Sequence, residues 1–134
     1  MGWDCKECGA QENPDESIEC YSCGFLLFHP LKLVSADTGR ESKKIKLKLA
    51  FGKKLLGEFA GEDAQFASEP QFRVFPNPLK QWVLETVQSV KNPTFINGSE
   101  PIEDQTVLHQ GDIISIGSRR GNKDKMKLMI HVEG

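Results

Sequence analysis

Short runs of alternating apolar and polar residues cover most of the chain. Leu31-Lys32-Leu33 and Ile45-Lys46-Leu47-Lys48-Leu49-Ala50-Phe51 repeat with period two, as do Gln71-Phe72-Arg73-Val74-Phe75 and Asp112-Ile113-Ile114-Ser115-Ile116. That period sends alternate side chains to opposite faces, so each run predicts a half-buried strand. Lys125 to Val132 closes the series, and Gly52, Gly57, Gly61, Pro70, Pro76 and Gly111 mark turns between the runs. Many short strands joined this way predict an all-β sandwich. One segment is ambiguous. In LKQWVLETVQSVK the residues Leu79, Trp82, Val83, Val87 and Val90 also trace a helical stripe, with Asn77-Pro78 as N-cap and first helical residue. Its β-branched Val83, Thr86, Val87 and Val90 favour a strand. Pattern alone leaves both readings open.

The chain has 134 residues, 38% of them hydrophobic, enough for one ordinary domain with a small appendage. It contains no run of 18 apolar residues, and MGWDCKEC has no secretory or transit character, so the expectation is a cytoplasmic protein with no membrane partner. The net charge of −2 hides an asymmetry. Residues 1–29 carry six acidic side chains against the single base Lys6, a balance of −5, and the remainder carries +3. Phosphate backbones are held by Lys and Arg, so the acidic first fifth is poorly suited to nucleic acid.

All four cysteines fall in that acidic stretch, as Cys5-x2-Cys8, an eleven-residue gap, and Cys20-x2-Cys23. A C-x2-C turn supplies two thiolates, and two such turns fill a tetrahedron with no position left for water. The pattern predicts one structural Zn2+ held by Cys5, Cys8, Cys20 and Cys23. Gly9 and Gly24 follow the second cysteine of each pair, where a positive φ lets backbone N–H groups face the sulfurs. A segment this short has no apolar core of its own. Metal binding worth about 10–16 kcal/mol would supply its fold. With Trp3 before the first pair and Asn13 between the pairs, the segment resembles the Ran-binding-protein type of zinc finger, with one extra residue between Cys8 and Asn13. Its ubiquitin-gripping Thr-Phe is replaced by Gly9-Ala10, and the arginines of its RNA-binding members are absent. The plainer resemblance is to small zinc ribbons used as interaction modules, with Trp3 packed on the metal turns. Residues 1–27 are read as the ribbon, 28–30 as a linker, and 31–134 as the sandwich.

The sandwich region resembles the forkhead-associated (FHA) domain. The matching stretches are LLGEF, SEPQF, QWVLETVQSVKNPTFING and VLHQGDIISIG. The resemblance implies an FHA-like β-sandwich of eleven strands, whose loops at one end bind phosphothreonine peptides, and it favours strand for the ambiguous segment. Carried over residue by residue, the peptide-binding positions fall on Ser68, Gln71, Lys91, Asn92 and Asn97. Ser68 matches the serine that bonds phosphate oxygen. Gln71 stands for the histidine that braces the loops, Asn92 for the asparagine that holds the peptide backbone, and Asn97-Gly98 for the second turn. The phosphate-gripping arginine falls on Glu58, whose charge is wrong for phosphate, because Leu55-Leu56-Gly57 suits a strand end. Aligning Gly52-Lys53 instead puts a cation there, so Lys53 and Lys91 are the candidate phosphate contacts. Ser68 and Asn92 are equally compatible with simple turn bracing.

No catalytic dyad, phosphate loop or open metal site stands out. The expectation is a non-enzymatic adaptor that recognises a protein or peptide, with phosphothreonine dependence weak or lost, in a kinase-signalling setting. A nucleic-acid-binding module using ribbon and basic strands, and a structural subunit of a larger assembly, are the alternatives. The lysines of residues 40–54 and the cluster Arg119, Arg120, Lys123, Lys125 and Lys127 are read as solvated faces or as a surface for an acidic partner, including the chain's own ribbon.

Overall fold

The computed structural model describes residues 2–88, 90–101, 103–117 and 125–132. Two four-stranded antiparallel sheets make up the body. One runs β1 (Leu31–Ser35), β8 (Lys125–Val132), β7 (Ile113–Ile116), β5 (Thr94–Ile96) in spatial order; the other runs β2 (Leu49–Phe51), β3 (Phe72–Pro76), β4 (Trp82–Thr86), β6 (Gln105–Val107). The alternation of the sequence becomes the alternation of faces. Leu31 and Leu33 of β1 pair with Val132 and Ile130 of β8, and the buried set of both sheets meets in one core. From the second sheet Phe51, Phe72, Val74, Trp82 and Leu84 enter that core, with Phe51 and Phe72 stacked at 5.1 Å between centroids. Eight strands are assigned among the described residues, against the eleven that the resemblance implied; further pairing is carried by isolated bridges.

The ambiguous segment is strand. Trp82 to Thr86 pairs residue by residue with β3, in the register Pro76↔Trp82 to Phe72↔Thr86. Asn77-Pro78 does not start a helix. The Asn77 carboxamide oxygen accepts the backbone N–H groups of Leu79 and Gln81, closing the hairpin turn while Lys80 takes φ 61°. Three consecutive buried side chains, Trp82, Val83 and Leu84, explain why the stripe looked helical. Val83 is covered on the outer face, where its register partners are Phe75 and Val107.

Two expectations are corrected. Leu55-Leu56-Gly57 is not a strand end: Lys53–Gly57 is a short helix, α1, which buries Leu56, and the turn after it buries Phe59 and Ala60. Those positions follow the i, i+3, i+4 spacing of a helical face. The second concerns Ile45 to Phe51, which forms a strand only over Leu49–Phe51. Its first half crosses between sheets. Ile45 exchanges both backbone hydrogen bonds with Leu31 of β1, whereas Lys46 and Lys48 turn to the N-terminal ribbon, leaving Leu47 55% exposed.

The ribbon is joined to the sandwich through that crossing. Ile18 N–H donates to the Lys46 carbonyl and Lys48 N–H to the Glu16 carbonyl, each at 2.7 Å. The Ile18 side chain is fully buried within the sandwich core cluster. Glu19 pairs with Lys46 at 2.9 Å and Glu16 with Lys48 at 3.6 Å, so two of the basic-run lysines meet the chain's own acidic ribbon. Phe28 packs on Trp82, whose indole N–H donates to the His29 carbonyl at 3.0 Å. Of the second basic cluster, Lys127 is exposed on β8; Arg119, Arg120 and Lys123 lie outside the described residues, as does the Lys125 side chain.

Candidate metal centre and peptide cleft

The two cysteine turns repeat one geometry. Gly9 N–H returns to the Cys5 carbonyl and Gly24 N–H to the Cys20 carbonyl, both at 3.0 Å, with φ of 78° and 79°. The four sulfurs lie within 4.8 Å of one another. Cys5 and Cys23 are 3.6 Å apart at Sγ, as are Cys8 and Cys20. Metal–sulfur bonds of about 2.3 Å in a tetrahedron put sulfurs about 3.8 Å apart, whereas a disulfide needs about 2.05 Å. The spacing fits a four-thiolate metal ion and excludes bonded pairs in this arrangement.

The thiol chemistry points the same way. Burial opposes the Cys20 thiolate, but the backbone N–H groups of Cys23 and Ser22 and the neighbouring thiols outweigh it and bring the group down to about 6. Cys23 behaves oppositely: the Phe25 N–H favours its thiolate, yet burial and the surrounding sulfurs push it up to about 12. One thiolate forms readily and the next is resisted, a crowding of negative charge that a dication relieves. Asn13 is fully buried between the turns. Its carboxamide oxygen accepts Tyr21 N–H at 2.9 Å, and its Nδ2 lacks a protein acceptor among the described residues. The residues therefore fit a bound metal, with Cys5, Cys8, Cys20 and Cys23 as its holders and its charge as the fold's cross-link. The indole N–H of Trp3 donates to the Ser17 and Pro14 carbonyls, which makes Trp3 part of the ribbon's packing.

At one end of the sandwich, the segment between β2 and β3 and the segment leading into β5 enclose a cleft of about 550 Å³. Lys53, Ser68, Lys91 and Asn92, all named from the sequence, line it together, joined by Lys54, Phe66 and Glu69. Glu58 is elsewhere. It lines a separate hollow of about 390 Å³ with Glu41, Leu55 and Phe59, on the other side of α1. Since β2 ends at Phe51, Gly52-Lys53 is the pair that follows a strand end, which is the setting the resemblance required.

Gln71 accounts for the shape of this cleft. It is fully buried; its Oε1 accepts Ser68 N–H at 2.8 Å, and its Nε2 donates to the Asn92 carbonyl at 2.7 Å and to Thr94 Oγ1 at 3.0 Å. It braces both walls and presents nothing to the opening. Ser68 Oγ accepts Lys91 N–H at 3.1 Å, and Asn92 Nδ2 donates to the Phe66 carbonyl at 2.9 Å. The Ser68 hydroxyl proton and the Asn92 Oδ1 have no partner among the described residues, and neither do the ammonium groups of Lys53, Lys54 and Lys91. Asn97 is not in the cleft. Its Nδ2 donates to Asp112, its Oδ1 accepts Ile113 N–H, and φ 52° holds a turn beside β7. Lys54 and Glu69 were missed because nothing in the run GKKLLG or in SEPQF shows which side chains return to one opening.

Comparisons with known proteins bear on the fold of the body. Residues 59–117 match the model of the FHA domain. Among solved structures, the chain is similar to the FHA domain of an Arabidopsis thaliana hypothetical protein, with TM-score 0.60 and 19% identity over 81% of this chain and 89% of that one. It is also similar to the N-terminal FHA domain of S. cerevisiae Rad53p, solved with a phosphothreonine peptide, at TM-score 0.57 and 15% identity over 78% and 94%. An engineered FHA domain with a Myc-pTBD peptide matches at TM-score 0.56 and 17% identity over 78% and 92%. No curated protein sequence matches the chain. The body of the chain thus has the fold of FHA-domain structures, residues 59–117 match the FHA domain model, and a cluster of four cysteines at metal-binding distance precedes that body.

Proposed function

We propose that the protein is a non-enzymatic reader of phosphothreonine peptides, bound in the Lys53–Ser68–Lys91–Asn92 cleft, with a structural zinc ribbon built onto the domain. The observation that carries this reading is that Lys53, Lys54, Lys91 and Ser68 line one opening, with no ion pair on the lysines and no acceptor for the Ser68 hydroxyl proton among the described residues. A phosphomonoester brings a charge of about −1.5 to −2 and three acceptor oxygens, which suits such a set. The sequence pointed to weak or lost phosphate dependence because Glu58 took the arginine's place; Glu58 lines another hollow, which supports Lys53 as the contact instead. Lys53 is a point charge on a flexible stem, not a bidentate fork, so the expected affinity is modest, in the micromolar range rather than below it. Asn92 Oδ1 is available to a peptide main chain beside the phosphate, and Phe66 lines the same opening.

Selection from a degenerate phosphothreonine peptide library tests this directly. The wild-type chain should enrich a phosphopeptide set. Lys53→Glu should lose it and Glu58→Lys should keep it. Loss with Glu58→Lys and retention with Lys53→Glu would return the phosphate contact to position 58 and refute the assignment.

A further inference from the structure

The cleft contains one anion of its own. Glu69 follows Ser68 directly, and its Oε2 accepts the backbone N–H of Lys54 at 3.1 Å. The carboxylate lies flat against Gly52, so close that a β-carbon at position 52 would overlap it. Gly52 has φ −128° and ψ −174°, extended backbone open to any residue, so the glycine is required there only by this contact. Glu69 shares the cleft with Lys53, Lys54 and Lys91, and forms no ion pair with any of them among the described residues.

We propose that Glu69 is a specificity-determining residue of the cleft: a resident carboxylate on the Gly52–Lys54 backbone that an incoming anionic group must displace, so that the cleft selects phosphoryl groups over carboxylates. The inference rests on the phosphate reading of the site. Exchange of one carboxylate for another changes neither the charge nor the number of acceptor oxygens facing the lysines. Exchange for a phosphomonoester adds charge and a third oxygen, which is the only substitution with a net electrostatic gain. Acidic side chains therefore make poor substitutes for the phosphorylated residue in this cleft. Gly52 makes the arrangement possible, because a methyl group there would meet only the flexible end of Glu69 and would push it out.

Two variants separate charge from occupancy. Glu69→Gln keeps the shape and an acceptor for Lys54 N–H while removing the charge. Gly52→Ala keeps the charge and expels the carboxylate from its seat. In amide-resolved NMR titrations of the full, zinc-loaded chain with inorganic phosphate and with acetate, the amides of Lys54, Ser68 and Lys91 are the reporters. In the wild type they should respond to phosphate and not to acetate. Both variants should bind phosphate about five- to tenfold tighter, the scale of one net hydrogen bond, and Glu69→Gln should also admit acetate. Phosphate affinities of both variants within twofold of wild type, or equal wild-type responses to the two anions, would overturn the role of Glu69 alone. Silence of these amides toward phosphate in all three proteins would bring down the phosphate reading and this inference together.

Discussion

Every polar atom of the Gln71 side chain is committed, and the two walls of the cleft depend on it. Ser68 N–H and the Asn92 carbonyl have Gln71 as their partner, and water is excluded from its amide. An unmet buried donor or acceptor costs about 1–3 kcal/mol. Gln71→Leu should therefore lower unfolding stability by about that amount, seen as a shifted urea midpoint at unchanged slope. It should also scatter the resonances of Ser68 and Asn92. Gln71→His, which retains donor and acceptor atoms, should lose less. At this scale the sequence was informative where chemistry is local. The four cysteines and their glycines declare themselves by spacing, and Ser68 and Asn92 by motif. Glu58 and Lys53 could not be told apart, because the difference lies in where a five-residue helix turns the chain, and Leu55-Leu56 fits strand and helix alike. Asn97 falls outside the cleft for a related reason: an Asn-Gly turn has one sequence signature whether it faces a ligand or braces Asp112.

Among the elements, the crossing segment from Ile45 to Lys48 has the most consequence. An isolated strand would leave its hydrogen-bonding edge open; here one side serves β1 and the other serves the ribbon. The exposed ion pairs Glu19–Lys46 and Glu16–Lys48 are worth about 0–1 kcal/mol each, so the joint depends on the backbone bonds and on Ile18. Trimming a fully buried isoleucine costs about 2–5 kcal/mol. Ile18→Ala should destabilise the sandwich by an amount in that range, measured by the loss of Trp82 burial in thermal unfolding, while the metal content stays at one zinc per chain. A ribbon folded by its metal alone would unfold on chelation and leave the sandwich intact. With Ile18 in the shared core, chelation should also lower the sandwich's unfolding temperature by several degrees, read in parallel scans with and without chelator. An unchanged sandwich midpoint would show the two parts to be energetically separate. That coupling was illegible in the sequence: Ile18 is a lone apolar residue in an acidic stretch, with no period to place it.

At the scale of the whole molecule, charge is segregated in a way that the net value of −2 conceals. The acidic ribbon neutralises Lys46 and Lys48 at the crossing, and the free lysines that remain near the site stand around the cleft. The two-sheet architecture was legible because period-two patterning survives in most runs, and it failed where the chain changes sheets and Leu47 is left exposed. The central claim is that this cleft reads a phosphate on threonine. It is tested most directly by calorimetric titration of the zinc-loaded chain with one library-selected phosphothreonine peptide and its unphosphorylated twin. A charge-assisted contact worth about 1.5–3 kcal/mol predicts that the phosphopeptide binds about 10- to 100-fold more tightly, with the difference shrinking as salt is added. Equal affinities for the two peptides would contradict it.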